Sequence, residues 1–260
     1  MGDGLCRCGA CDRRTSATAG TILAGTRSPL TLWFAAAWYI TNQKNGVSAL
    51  GLQRALELGS YKTAWAWLHK LRRAMVRPSR DRLSGEVEVD ESYLGGLAPG
   101  KPGRGAEKKA IVAIAVEKRG RGIGRIRLAR IPDTSADSLL PVIEEAIEPG
   151  SVVCTDGHLG YKPLSRARYT HDRRSLYASG EPGHVAMPRV HRVSSLLKRW
   201  LLGTHQGAVR PQQLDYHLDE FTFRFNRRGS HHRGLLFYRL LEQAVQIEPK
   251  PLTKILGGTS

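Results

Sequence analysis

Two aspartates have the type and setting to do chemistry: Asp90 within VEVDESYLGG and Asp156 within SVVCTDGHLGY. Glu86-Val87-Glu88-Val89-Asp90 alternates polar and apolar residues strictly, the period of a strand. Asp156 closes the apolar stretch Ser151 to Thr155, the place where open α/β sheets put their sites. A carboxylate on an early strand is costly to bury unless it is paired or bound to metal. Two carboxylates meeting on neighbouring strands would form a hard-oxygen site suited to Mg²⁺ or Mn²⁺. Such ions activate a water or a 3′-hydroxyl and clamp a scissile phosphate. Taken singly, each aspartate also fits a capping role, Asp156-Gly157 being a common turn.

Cys6, Cys8 and Cys11 form the second cluster, with Cys8-x-x-Cys11 as one knuckle of a zinc ribbon. A closed structural zinc takes four ligands, usually from two such pairs. The fourth cysteine, Cys154, is far away, so residues 1–20 read as a ribbon remnant. Either its other half lies upstream of Met1 or the site has decayed. Three thiols without metal are an equal alternative.

The elements that must position the aspartates follow from periodicity. Residues 21–76 read as all helix. Ser28 and Pro29 start a helix over Leu30 to Thr41, and Asn45-Gly46 is a turn. Ser48 caps a helix reaching Leu58, and Ser60 caps the next. There Ala64, Leu68, Leu71 and Met75 recur at spacings of 4, 3 and 4. Lys62, His69, Lys70, Arg72 and Arg73 occupy the other faces. Two helices joined by a short turn, the second one basic, fit a helix-turn-helix whose basic residues meet DNA. Any packed helix pair gives the same stripe. Trp65 and Trp67 are expected to pack.

A polar linker, 77–84, contains Pro78. Strands are then predicted at Glu86–Asp90, Ala110–Val116, Gly124–Ile131 and Ser151–Thr155. Helices are predicted at Ser135–Ile147 and Val190–Leu202, and Ala98–Lys109 reads as a loop. Three consecutive strands, a helix and a further strand fit a mixed α/β sheet. Pro211 to Ala244 reads as helical, and the tail from Ile247 as frayed.

Composition sets the partner. Lys+Arg number 40 against Asp+Glu 23, a net charge of +17 on 260 residues. That excess points to a polyanion, with nucleic acid foremost, although a basic ribosome-associated protein shares it. At 41% hydrophobic the chain can bury a core, which excludes compositional disorder. Aromatics are 7%, without the motif of an RNA-stacking sheet, which favours duplex DNA. The longest apolar run, Leu30 to Ile40, is about half of the roughly 20 residues a membrane span needs. A cytoplasmic, nucleoid-associated protein with reduced cysteines and no membrane partner is expected.

With these segments in view, the chain resembles the bacterial insertion-sequence transposases of the DDE type. In that group a zinc ribbon and helix-turn-helix precede a ribonuclease H-like catalytic domain. TAGTIL, SPLTLWFAAAWYI and LGSYKTAWAWLHKLRRAM resemble its N-terminal half. LKRWLLGTHQGAV and YHLDEFTFRFNRR resemble its C-terminal half. The resemblance implies a ribonuclease H-like mixed sheet with flanking helices over 85–230, after a small all-α domain. A C-terminal helix and tail take up 231–260.

The activity implied is binding of the element's terminal inverted repeats, metal-dependent strand cleavage and strand transfer into target DNA. A homodimer or larger assembly is implied as well. Asp90 and Asp156 match the first two acids of the triad. The third, a glutamate in full-triad relatives, falls on His191, 35 residues beyond Asp156 (191 − 156). His191 reads as a metal ligand, a contact to phosphate or water, or an inactive replacement. Lys198, two helical turns further on, and Arg199 are expected to meet DNA. A decayed transposase that only binds DNA is the rival reading.

Overall fold

The computed structural model describes residues 5–77, 79–95, 109–174, 183–206 and 209–255. The predicted loop at 98–109 lies outside these residues except for Lys109. The chain divides into two compact units: one joins 1–78 to 229–260, and the other is 79–228.

In the first unit, β1 (Leu5–Arg7) and β2 (Arg14–Ser16) pair antiparallel. The turn between them places Cys8 and Cys11, and Asp12 there takes a φ of 58°. Helix α1 (Leu30–Asn42) begins after Pro29, which takes the cap position expected of Ser28. The Ser28 N–H instead donates to the Thr26 hydroxyl. Helix α2 (Ala49–Ala55) is capped by Ser48, whose hydroxyl accepts from Gly51 N–H at 3.0 Å. It packs on α3 (Tyr61–Arg73). Trp33 of α1 stacks on Trp67 of α3 with ring centroids 4.0 Å apart, so Trp67 packs as expected.

The second unit holds one five-stranded sheet. Its strands are β3 (Glu86–Leu94), β4 (Ala110–Arg119), β5 (Gly122–Ile131), β6 (Val152–Thr155) and β7 (Thr170–Arg173). They lie in the order β5-β4-β3-β6-β7. The first three are antiparallel neighbours, and β6 and β7 add in parallel. Helix α4 (Ala136–Ala146) provides the crossover that a parallel pair needs. This is the ribonuclease H-like mixed sheet with flanking helices that was expected. Strand β7 and a 3₁₀ helix at Leu159–Arg166 were not predicted.

Alternation on the strands sends successive side chains to opposite faces. Val87, Val89, Ala113, Ala115 and Val153 pack against Leu139 and Ile143 of α4 and against Tyr161 and Leu164. On the other face, Val112, Ile114, Val116, Ile126 and Leu128 meet two further helices, α5 (Pro188–His205) and α6 (Leu214–Asn226). Val190, Val193, Leu197 and Leu201 form the buried stripe of α5. Asn226 seals the open edge of β5. Its Oδ1 accepts from Ile126 N–H at 2.7 Å and its Nδ2 donates to Ile126 O at 3.1 Å. An edge strand sealed in this way offers fewer unpaired backbone groups to another chain.

The next helix, α7 (Arg233–Ala244), belongs to the first unit and packs along α1, with Trp38 edge-on to Phe237. The expected helix over 211–244 is therefore two helices in different units. The tail expected to fray from Ile247 is partly anchored: Ile247 and Ile255 are buried. Residues 256–260 lie outside the described part of the chain. No helix among the described residues is long and apolar enough to cross a membrane.

Candidate active site

The central strand β3 and its parallel neighbour β6 bring the two aspartates side by side. Glu86 pairs with Val152, Val87 with Val153 and Glu88 with Cys154. Asp90 and Asp156 each lie two residues beyond the last of these pairs. Asp90 is still within β3, whereas Asp156 is the residue that follows the end of β6 at Thr155, so continuing the register brings it beside Asp90 on the neighbouring strand. Asp90 is held by its own backbone, its Oδ1 accepting from Glu91 N–H at 2.8 Å. Asp156 turns the chain, its Oδ1 accepting from His158 N–H at 2.9 Å. Gly157 follows with a φ of 83°, a left-handed conformation that favours glycine.

Helix α5 covers the face on which Asp90 lies. His191 Nε2 stands 3.8 Å from Asp90 Oδ2, too long for a hydrogen bond but within ion-pair reach. The Asp90 side chain is 18% exposed and that of His191 36%. One turn along α5, Ser194 Oγ is 2.8 Å from Ser92 Oγ. Lys198 and Arg199, further along, are exposed.

Behind the carboxylates lies Tyr161, fully buried in the core on the α4 face. Burial raises its hydroxyl well above the usual phenol range. The carboxylate of Glu91, and the charges of Asp90 and Asp156, raise it further. A neutral phenol thus sits close to three acids. Sequence reading missed Tyr161, whose only signal is its place in the DGHLGY turn.

Two oxygen ligands and an imidazole are the donor types a hard divalent ion such as Mn²⁺ accepts, Mg²⁺ taking nitrogen less readily. Asp90 and Asp156 could supply such oxygens, and His191 a nitrogen beside Asp90. Among the described residues no three such side chains close on one point to hold an ion. The chain therefore offers a two-carboxylate edge that leaves most coordination positions to water or phosphate.

Cys154, buried on β6, lies on the same face as Glu88. Its Sγ is 3.3 Å from Asp172 Oδ2. Burial, and then the bond to Asp172, push the thiol up to about 12. Arg174 joins this cluster to the chain entering α5. It donates to Asp172 at 2.9 Å, to Glu86 at 3.3 Å and to Ala186 O at 2.7 Å.

The DNA-contact candidates separate. Lys62 is exposed at the start of α3. Lys70 is half-buried, its Nζ 5.8 Å from the Trp33 ring centre, and burial lowers its pKa. Arg73 is half-buried too. His69 and Arg72 are corrected: both are buried, at 1% and 3% exposure. Arg72 donates to Val47 O at 3.2 Å, and His69 packs edge-on to Trp65. Their polar groups serve the helical core rather than a surface.

Two solved structures are among those that the chain matches. The Mos1 strand transfer complex is 13% identical over 81% of this chain and 78% of that chain, with a TM-score of 0.22. A pre-cleavage Mos1 transpososome is 13% identical over 84% and 79%, with a TM-score of 0.20. No curated protein matches the chain. The family described as ISXO2-like transposase domain matches residues 82–226, more than half of the sequence and nearly the whole sheet unit, and the chain belongs to that family.

Proposed function

We propose that the protein is a DNA transposase that binds the terminal inverted repeats of its element and carries out metal-dependent strand cleavage and strand transfer. The observation that supports this best is that the parallel pairing of β3 with β6 puts Asp90, on β3, and Asp156, the residue just after β6, in the same register, within the segment matched by the transposase family. Both would hold Mg²⁺ or Mn²⁺. Bound there, the ion would supply Lewis-acid activation of a water or 3′-hydroxyl and neutralise charge on the scissile phosphate.

The chain's own residues do the rest. The Glu91 and His158 N–H groups orient the two carboxylates. His191 contributes an imidazole beside Asp90 that can ligate or hold a phosphate oxygen. Lys198 and Arg199, exposed further along α5, would track the phosphate backbone. Lys62, Lys70 and Arg73 on α3 would serve a helix-turn-helix docked on the repeat. Synapsis of two ends calls for a dimer or larger assembly with inverted-repeat and target DNA.

A second reading, a decayed transposase that binds DNA without cutting it, is favoured by one observation. Among the described residues no three ligands close on one point, and the resemblance puts His191 where a third acid would stand. The experiment that decides is incubation of the protein with a labelled inverted-repeat duplex and Mg²⁺ or Mn²⁺. Nicks at the repeat end support the transposase. Retention of the duplex with no nick in either ion supports the DNA-binding reading.

A further inference from the structure

Helix α5 carries His191 but has no cap of its own. Met187 offers no side-chain cap, Pro188 opens the helix, and no acid lies in the first turn. Two N–H groups there would go unsatisfied, because the first four of a helix have no partner within it. They are met from the sheet. Glu88 Oε2 accepts from Arg189 N–H at 2.8 Å and from Val190 N–H at 2.9 Å. Its Oε1 accepts from Arg189 Nη1 at 2.9 Å.

The Glu88 side chain is 0% exposed and that of Arg189 15%. An ionised carboxylate this deep in the fold is tolerated only when paired and hydrogen-bonded. It also places negative charge at the positive end of the helix. Arg174 fixes the chain just ahead of the helix by donating to Ala186 O at 2.7 Å.

The consequence is a register. Glu88, Asp90 and Ser92 project from the same face of β3. They meet α5 in order: Glu88 at Arg189 and Val190, Asp90 at His191, Ser92 at Ser194. His191 is the residue next to the capped Val190. Its N–H makes the first bond of the helix, to Met187 O at 3.4 Å.

We infer that Glu88 is a positioning residue of the candidate site, setting the start of α5 so that His191 faces Asp90. It touches no reacting group and acts only through the helix. This rests on the reading of Asp90, Asp156 and His191 as metal-binding.

Glu88→Gln keeps volume and one acceptor but turns an amide N–H toward the Arg189 guanidinium. The test is Mn²⁺ titration of the full chain, without DNA, in the wild type, His191→Ala, Glu88→Gln and the double variant. Asp90→Asn serves as the control for the site. Outer-shell partners of metal ligands typically contribute 10–100-fold in affinity. Glu88→Gln alone should weaken Mn²⁺ by about tenfold, at the low end of that range because its action is indirect. In the His191→Ala background it should produce no further loss, since the residue it places is gone.

An equal loss in both backgrounds, or none in either, overturns the positioning role. If Asp90→Asn binds Mn²⁺ as tightly as wild type, the metal reading itself fails and the inference falls with it. Should Glu88→Gln lose its cooperative melt, Arg189→Met carries the same cycle. It removes the guanidinium and leaves both backbone bonds to Glu88. A smaller loss that vanishes without His191 supports the role, and an additive loss overturns it.

Discussion

Asp90 and Asp156 each lie two residues beyond the pair Glu88 and Cys154 of the parallel strands β3 and β6, Asp90 within β3 and Asp156 just past the end of β6. That register brings two carboxylates together in the middle of the sheet, past the end of β6, without any long loop to hold them. A strand holds Asp90, and Asp156 is fixed in the tight turn directly after β6 by the His158 N–H, which matters for a site that must meet a phosphate.

His191 is the test of the third position. Mn²⁺ accepts nitrogen more readily than Mg²⁺ does. His191→Glu should preserve or raise Mg²⁺-supported nicking, and His191→Ala should lower nicking with either ion. Nicking rates on an inverted-repeat duplex under each ion are the measurement. Unchanged rates in His191→Ala would remove it from the site.

Affinity for DNA should be dominated by phosphate contacts, given the net charge of +17. Log affinity should fall linearly with log salt, by about 0.9 for each phosphate neutralised, for a slope of several units. Fluorescence anisotropy across a salt series reads the slope. A slope near zero would contradict DNA as the partner.

Much of the sheet unit was legible because the signals are local. The alternation in β3 is visible since its two faces pack different helices, and Pro149-Gly150 stops α4 before β6. Strand β7 was not legible: Thr-His-Asp-Arg has no apolar alternation, and the strand lies at the sheet edge. Glu88 was not legible as a cap, because its partners Arg189 and Val190 are more than 100 positions away along the chain. The stripe at Ala64, Leu68, Leu71 and Met75 suggests one buried face and leaves His69 and Arg72 outside it. In fact α3 also buries Ala66, Trp67, His69 and Arg72, a wider face than the stripe defines.

The cysteines should separate by reactivity. Cys8 is lowered by N–H groups of Ala10 and Cys11 donating to its sulfur, with a further bond from the Cys11 side chain. Cys154 is buried and raised to about 12. Thiolate is the reactive form. At neutral pH, iodoacetamide should label Cys8 quickly and leave Cys154 unlabelled until the protein is unfolded. Peptide mass spectrometry over time checks this, and early labelling of Cys154 would contradict its buried, protonated state.

Gly160 should tolerate no side chain. A Cβ there would overlap the Thr134 carbonyl oxygen and come within 2.9 Å of Leu139 Cδ1. Overpacking of this kind costs about 1–3 kcal/mol. Gly160→Ala should lower the melting temperature measurably, whereas Gly203→Ala, with open space around its Cβ, should not. Equal melting of the two variants would count against the close approach of the 3₁₀ segment to the start of α4.

The most direct measurement is strand nicking by Asp90→Asn and Asp156→Asn, read beside binding to the same inverted-repeat duplex. The carboxylates would hold the metal, while the basic residues of α3 and α5 would hold the DNA. Each variant should lose nicking in both Mg²⁺ and Mn²⁺ and keep near wild-type affinity for the duplex. Wild-type nicking by either variant would show that its aspartate is no part of the catalytic centre, and would contradict the account.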